Sequence, residues 1–122
     1  MNMGQIKEFL GNDWLKTESL IRSSLNSDID LLNATNKAVL EHSGKQLRPI
    51  LALLIARACS DGHITSDTIK FAAASELLHN ATLFHDDVAD NSSERRGVPT
   101  VMSILGGRAS VLLGDFWLVK AM

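Results

Sequence analysis

The sequence is poor in the residues that interrupt or cross-link a chain. Its 122 residues include no tyrosine, two prolines and one cysteine. A single cysteine excludes a disulfide within the chain. Cys59 ends the apolar run 51–59, so we expect it to be a small buried hydrophobe, and a reducing compartment fits this use.

Long apolar runs and an excess of positive charge are also missing. No stretch free of charge and proline approaches the ~20 residues of a membrane-spanning helix, and the start MNMGQIKEFL lacks the basic-then-apolar layout of a signal peptide. The net charge is −2, from 12 basic and 14 acidic residues, which argues against a sequence-independent nucleic-acid binder. We predict a soluble, cytoplasmic protein with no transmembrane segment and no nucleic-acid partner.

The remaining composition is that of a globular helical protein. Apolar residues make up 45% of the chain and charged residues 21%, which suits one domain with a hydrophobic core. Strand-like alternation is nearly absent, whereas apolar residues recur at spacings of three and four. The pattern predicts an all-α helix bundle with no internal repeat and no domain boundary.

Caps, glycines and apolar spacing predict where the helices begin and end. The first two expected helices run through 9–25 and through 29–40, the second capped by Ser27 or Asp28 and stopped by Gly44. A third runs from Leu47 to about Ser60, and a long fourth helix runs from Thr65 or Ser66 to about Asn91. A short helix then ends at Leu105, and the last helix begins at about Arg108. Pro49 falls near the first turn of its helix, where a missing amide is tolerated. The stretch 91–99 is expected to be a polar loop.

The last expected helix is strongly apolar over 111–122, and no cap or polar tail follows it. A helix that is apolar on all sides needs packing partners on several sides. We therefore expect residues 1–122 to form part of a larger domain, with the chain stopping within the structure.

Three carboxylates lie close together at the end of the long helix. Asp86 and Asp90 are four residues apart and share a helix face, and Asp87 lies beside them. Like charges at this spacing repel, and the helix dipole disfavours anions at this end, so a compensating cation is expected. Oxygen ligands favour a hard cation, and Mg²⁺ fits well. The alternative is a solvated acidic helix end without metal.

Two arginines follow the carboxylates within one loop. Arg95 and Arg96 carry guanidinium groups whose forked donors match phosphate oxygens. Carboxylates suited to metal beside arginines suited to phosphate indicate a metal-bridged polyphosphate. The alternative is that the arginines only neutralise the aspartates.

A second basic group lies at the start of the third expected helix. Lys45 and Arg48 are three residues apart, where exposed amides and the helix dipole attract anions. His79 lies seven residues before Asp86, about two turns along the same helix face, and is a candidate phosphate ligand. The alternatives are a solvated basic helix start and a structural histidine; His85 is expected to be a structural or outer-sphere residue.

Another metal pattern is present in one copy. Glu76 and His79 have the spacing found in di-iron carboxylate bundles. Such a site needs a second Glu-x-x-His motif and further inward glutamates, and the sequence offers no second copy. We do not favour this interpretation.

Several of these segments, in the same order and spacing, resemble the trans-type, head-to-tail polyprenyl diphosphate synthases. The matching motifs, which extend from about Gly44 onward, are Gly44-Lys45-x-x-Arg48-Pro49, Glu76-Leu77-Leu78-His79-x-Ala81-x-Leu83-x-His85-Asp86-Asp87-Val88-x-Asp90, Arg95-Arg96-Gly97-x-Pro99-Thr100 and Leu113-Gly114-Asp115-Phe116. The resemblance implies the N-terminal portion of the all-α isoprenoid synthase fold, usually a homodimer. It also implies transfer of an allylic prenyl group to isopentenyl diphosphate.

The resemblance implies a role for each site residue. Asp86 and Asp90, assisted by Asp87, would hold Mg²⁺ that bridges to the allylic prenyl diphosphate, and Arg95 would contact that diphosphate. The residues expected to hold isopentenyl diphosphate are Lys45, Arg48, His79 and Arg96.

The residues four and five positions before Asp86 are expected to influence the length of the prenyl product. Family members with short products commonly carry aromatic rings there, whereas this chain has Thr82 and Ala81. We therefore predict a long-chain, octaprenyl-like product.

The sequence departs from the family in one respect. The family's second aspartate-rich motif and its later lysines are absent, so we expect the chain to be an inactive fragment. The alternatives are a short non-catalytic diphosphate-binding or regulatory module, a fragment of a class I terpene cyclase, and a purely structural helical domain. The set Lys45, Arg48, His79 and Arg96 argues for a second diphosphate substrate, which a cyclase does not need.

Overall fold

The computed structural model describes residues 2–42, 44–95 and 97–122. These ranges are mostly helical, which confirms the all-α prediction. The elements are α1 (Met3–Leu10), α2 (Asn12–Ser24), α3 (Asp30–Glu41), α4 (Leu47–Cys59), α5 (Ser66–Ala89), β1 (Glu94–Arg95), β2 (Val98–Pro99), α6 (Val101–Leu105) and α7 (Gly107–Ala121). No helix in the described ranges is long and apolar enough to cross a membrane.

Gly11 divides the expected first helix into α1 and α2. Its φ of 55° and ψ of −124° belong to a region that residues with a side chain rarely adopt. Its amide donates to Lys7 O at 3.0 Å and to Glu8 O at 3.1 Å, which closes α1. The prediction of one helix through 9–25 is wrong because apolar spacing carries no signal for a break at a single glycine.

Other helix ends agree with the sequence or differ by a few residues. Thr65 Oγ1 accepts a hydrogen bond from Thr68 N at 3.2 Å, as expected of the cap of α5. α3 begins after Ile29, which makes no side-chain cap hydrogen bond, so the predicted cap at Ser27 or Asp28 is one or two residues early.

The chain forms two compact units divided between Glu76 and Leu77. The first unit contains α1 to α4 and residues 66–76 of α5, and the second contains residues 77–89 of α5 and everything after them. The sequence carries no signal for this division. A single partial domain over 1–122 stays a prediction.

The core of the first unit is an apolar cluster from four helices. Its buried members are Leu10, Trp14, Ile50, Leu53, Ile69 and Ala72. Cys59 is exposed rather than buried. It lies six residues after Leu53, about 240° further round α4 at ~100° per residue, and so it points away from this core.

Arg57 holds three helices of the first unit together. Its Nη2 donates to Asp13 Oδ2 and to Leu10 O, each at 2.8 Å, and its Nη1 donates to Phe9 O at 3.2 Å. The guanidinium also lies 5.2 Å from the centroid of the Phe9 ring. These bonds satisfy carbonyls at the end of α1, which the helix itself leaves without partners.

The second unit is built on close antiparallel packing of residues 77–89 of α5 against α7. Ser110 Oγ donates to Phe84 O at 2.8 Å, and the rings of Phe84 and Trp117 meet edge to face, 5.4 Å apart. Gly107 and Gly114 on the same side of α7 face Val88 and Ala81, respectively. Small residues at spacings of three and four let the two backbones approach closely.

The other side of α7 is exposed and apolar. Leu112 is 67% exposed and Val119 is 69% exposed. α7 therefore exposes apolar side chains on this side, although Asp115, whose side chain is 58% exposed, and Lys120 also lie on its surface.

Candidate functional site

Two carboxylates are exposed where α5 ends. Asp86 lies in the last turn of the helix, and Asp90 follows its final residue. Asp90 N still donates to Asp86 O at 2.8 Å, so the two residues keep helical spacing. Asn91, with φ of 52°, then turns the chain away. The predicted shared face of Asp86 and Asp90 is thereby present and open to solvent.

Asp87 differs from its two neighbours because it is buried. Its side chain is 6% exposed, and Oδ1 accepts hydrogen bonds from Arg95 Nη2 at 2.6 Å and Arg95 Nε at 3.2 Å. Arg95 lies on β1, and the β1–β2 hairpin carries it back over the end of α5. The sequence left open that an arginine neutralises one of the aspartates, and Arg95 does pair with Asp87. Spacing alone did not indicate that the Asp87 side chain is buried.

The loop from Asp90 to Thr100 is fixed at both ends. Ser92 N donates to Asp87 O at 2.9 Å. Buried Thr100 donates its hydroxyl to Ser92 O at 2.8 Å, and its amide donates to Ser93 O at 3.0 Å. This segment was expected to be a simple polar loop, and it instead contains the short hairpin that positions Arg95.

His85 packs against α7. Its Nε2 lies 3.2 Å from Val111 O and 3.1 Å from Asp115 Oδ1. The ring also lies on Gly114, whose missing side chain makes room for it. The expected structural role agrees with these contacts. The sequence pattern showed Asp115 and Gly114 only as parts of a motif and did not indicate this partner.

The basic pair Lys45 and Arg48 belongs to the first unit and is exposed at the start of α4. Gln46, the cap residue, has a left-handed φ of 54°, and its Oε1 accepts from Lys7 Nζ at 3.1 Å. Neither Lys45 nor Arg48 forms a hydrogen bond or ion pair with the described residues. Both are therefore available to an anionic ligand.

The remaining predicted site residues lie mostly on α5. Thr82 is exposed and His79 is half-buried. The Thr82 hydroxyl donates to the backbone carbonyl oxygen of His79 at 2.6 Å. Ala81 is 2% exposed and faces Gly114, so its small size also serves helix packing. Arg96 lies outside the described residues.

The donor set at the end of α5 fits a hard divalent cation. Asp86 and Asp90 offer two exposed carboxylates, which suits Mg²⁺ because this ion usually keeps several waters and substrate phosphate oxygens. Across residues 2–42, 44–95 and 97–122, no three His, Cys, Asp or Glu side chains converge on a metal position. A cation here would therefore need ligands beyond these side chains.

Comparison with known proteins places these features in a family. The polyprenyl synthetase family model matches residues 29–122. Octaprenyl diphosphate synthase of Escherichia coli is 40% identical over 121 residues, which is 99% of this chain and 37% of that protein. The chain thus spans little more than a third of the length of this curated relative.

Solved structures show the same fold. A decaprenyl diphosphate synthase from Rhodobacter capsulatus has a TM-score of 0.89 and 32% identity, over 98% of this chain and 37% of that one. A polyprenyl synthase from Caulobacter crescentus, solved with calcium and isoprenyl diphosphate, has a TM-score of 0.84 and 35% identity, over 98% and 36%. The family model, the sequence identity and the shared all-α isoprenoid synthase fold agree, and the chain belongs to the polyprenyl synthetase family.

Proposed function

We propose that this chain forms one wall of the active site of a trans-polyprenyl diphosphate synthase. In this role it binds the diphosphate of an allylic substrate through a divalent cation. The observation that carries the proposal is the arrangement at the end of α5. Asp86 and Asp90 are exposed at helical spacing, and Arg95 is held by Asp87, which follows Asp86 in the chain.

The cation in this proposal is Mg²⁺, which Asp86 and Asp90 would hold beside the diphosphate of the allylic prenyl substrate. When bound, Mg²⁺ stabilises the negative charge that develops on the leaving diphosphate. Arg95 contacts the same diphosphate and adds fixed positive charge, which is most effective where water is excluded.

The second substrate is isopentenyl diphosphate. Lys45 and Arg48 are both exposed and suit its diphosphate, because exposed amides at a helix start add to their two full charges. His79 and Arg96 complete the proposed set. A second diphosphate substrate distinguishes a prenyl chain elongation enzyme from a terpene cyclase.

The whole enzyme is proposed to be a cytoplasmic homodimer that makes a long-chain product. The small side chains of Thr82 and Ala81 support an open path for a growing prenyl tail. The family's second aspartate-rich motif is absent from these 122 residues, so half of the proposed metal clamp is missing. We therefore propose that the chain by itself binds diphosphate weakly and does not turn it over.

The test is calorimetric titration of the chain with a methylene bisphosphonate, with and without Mg²⁺. We expect binding that requires Mg²⁺ and that falls at least tenfold in Asp86→Asn. Asp67→Asn is the matched control, because Asp67 is an exposed aspartate at the other end of α5. Binding that persists without Mg²⁺, or that survives Asp86→Asn, contradicts the proposal, and no binding at all supports a purely structural domain.

A further inference from the structure

We infer that Asp87 is a positioning residue that orients Arg95 toward the diphosphate, and that it does not ligate the metal. This inference rests on the proposed function and divides the work within the acidic cluster. Asp86 and Asp90 supply the carboxylates for the cation, and Asp87 supplies the carboxylate that fixes the arginine.

Burial separates Asp87 from the other two aspartates. Its side chain is 6% exposed, whereas Asp86 and Asp90 are both exposed. A hydrated Mg²⁺ needs space for several waters around it, which an exposed carboxylate offers and a buried one does not. Turning Asp87 outward would also break both of its hydrogen bonds to the charged guanidinium of Arg95.

The geometry of the pair explains why Arg95 is oriented rather than merely neutralised. Nε and Nη2 of Arg95 both donate to the same oxygen, Oδ1 of Asp87. Nη1 makes no hydrogen bond to the described residues, and the Arg95 side chain is 39% exposed. One edge of the planar guanidinium is therefore held by the protein, and the rest is presented to solvent, where phosphate oxygens can accept from it.

The backbone of Asp87 contributes to the same arrangement. Its carbonyl accepts from Ser92 N at 2.9 Å, so one residue holds both the start of the loop and the arginine that the loop carries. Pairing Asp87 with Arg95 also removes one unbalanced charge from the three-carboxylate cluster. This lowers the repulsion that Asp86 and Asp90 must overcome before a cation binds.

The experiment measures the affinity of a methylene bisphosphonate as a function of Mg²⁺ concentration, for the unaltered chain and five variants. Asp87→Asn keeps the shape of the side chain but removes its charge. We expect about a tenfold loss of affinity at saturating Mg²⁺ (~1.4 kcal/mol) with no change in the Mg²⁺ concentration at half-saturation. Asp86→Asn is expected to raise that Mg²⁺ concentration instead.

A double-mutant cycle then tests whether Asp87 acts through Arg95. If it does, Arg95→Ala combined with Asp87→Asn binds no worse than Arg95→Ala alone. Additive losses, or a Mg²⁺ midpoint that shifts in Asp87→Asn as it does in Asp86→Asn, overturn the inference. If the unaltered chain itself shows no Mg²⁺-dependent binding of the bisphosphonate, the proposed function is refuted instead.

The matched control for a merely structural effect is Asp13→Asn. Asp13 pairs with Arg57 in the same way, since Nη2 at 2.8 Å and Nε at 3.3 Å donate to one carboxylate oxygen. This substitution should lower the stability of the chain and leave bisphosphonate affinity unchanged. An equal loss of affinity in Asp13→Asn and Asp87→Asn would show a general effect on folding and would overturn the positioning role.

Discussion

His85 lies against Gly114 so closely that a Cβ on Gly114 would come within 2.5 Å of His85 Cδ2. The same Cβ would be 3.2 Å from Ala81 O, which is backbone and cannot rotate away. The contact joins the residue that precedes the acidic cluster to the helix after the hairpin. The close packing of the turn that precedes Asp86 against α7 therefore depends on the absence of a side chain at Gly114.

Gly114→Ala should destabilise the chain by about 1–3 kcal/mol, the usual cost of overpacking a close contact. Alanine favours a helix by up to ~1 kcal/mol over glycine, so a net loss shows that packing outweighs propensity. The measurement is the urea midpoint of unfolding. A second variant, His85→Ala with Gly114→Ala, should recover part of the loss because the ring is gone and only the Ala81 carbonyl remains.

Gly107→Ala is the matched control on the same helix. A Cβ at Gly107 would meet Val88 Cγ1 at 3.6 Å, which is an ordinary contact. We expect no loss of stability, or a gain of up to about 1 kcal/mol. Equal effects at Gly107 and Gly114 would contradict the importance of the His85 contact.

Arg57→Lys should destabilise the first unit although it keeps the charge. Lysine cannot reproduce the fork that reaches Asp13, Leu10 O and Phe9 O together, and we expect a loss of about 1–3 kcal/mol. Arg22→Lys is the control, since Arg22 makes one exposed contact of 3.5 Å with Glu18 and should change stability by less than about 0.5 kcal/mol. The measurement is the thermal unfolding of both variants. An Arg57→Lys variant as stable as the unaltered chain would show that the guanidinium contacts are not needed for stability.

Thr100→Ala should loosen the loop that carries Arg95. The Thr100 hydroxyl donates to Ser92 O at 2.8 Å and accepts from Ser103 N at 3.1 Å as the cap of α6. Loss of such a cap costs about 1–2 kcal/mol, and bisphosphonate affinity should fall with it. Thr100→Ser keeps the hydroxyl and should retain most of the affinity, so an equal loss in both variants would show that the methyl group, rather than the hydroxyl, matters.

Product length in an active enzyme that contains this segment should respond to Thr82 more cleanly than to Ala81. Thr82→Phe places a ring on an exposed face four residues before Asp86, and we expect shorter prenyl products by chromatography. Ala81→Phe puts a ring where the side chain is 2% exposed, so a loss of stability of ~1–3 kcal/mol should accompany any change in product. A farnesyl-length product from the unaltered enzyme would show that the long-chain prediction is wrong.

The 122-residue chain should not convert allylic and isopentenyl diphosphates to product. It carries the first acidic cluster but no second one, and ionisation of an allylic diphosphate requires stabilisation of a large developing charge. Incubation with both diphosphates and Mg²⁺, followed by product extraction, provides the measurement. Turnover above a chain carrying Asp86→Asn would refute this prediction.

Most helix boundaries were accessible from sequence because local signals set them. The Thr65 cap and the first-turn Pro49 act within one turn of chain and need no tertiary partner. Gly11 and Cys59 were missed for different reasons. A helix break at one glycine depends on a backbone dihedral, and the exposure of Cys59 depends on which face of α4 the core selects.

The sequence by itself determined the chemistry of the site, since residue type and helical spacing suffice to give Asp86 and Asp90 one shared face and to place arginines after them. The tertiary structure decided which carboxylate is buried and which is exposed. Asp87 and Asp86 are chemically identical neighbours, and they point about 100° apart on a helix. Only the return of the β1–β2 hairpin over α5, with Arg95 on it, buries one and leaves the other exposed to solvent.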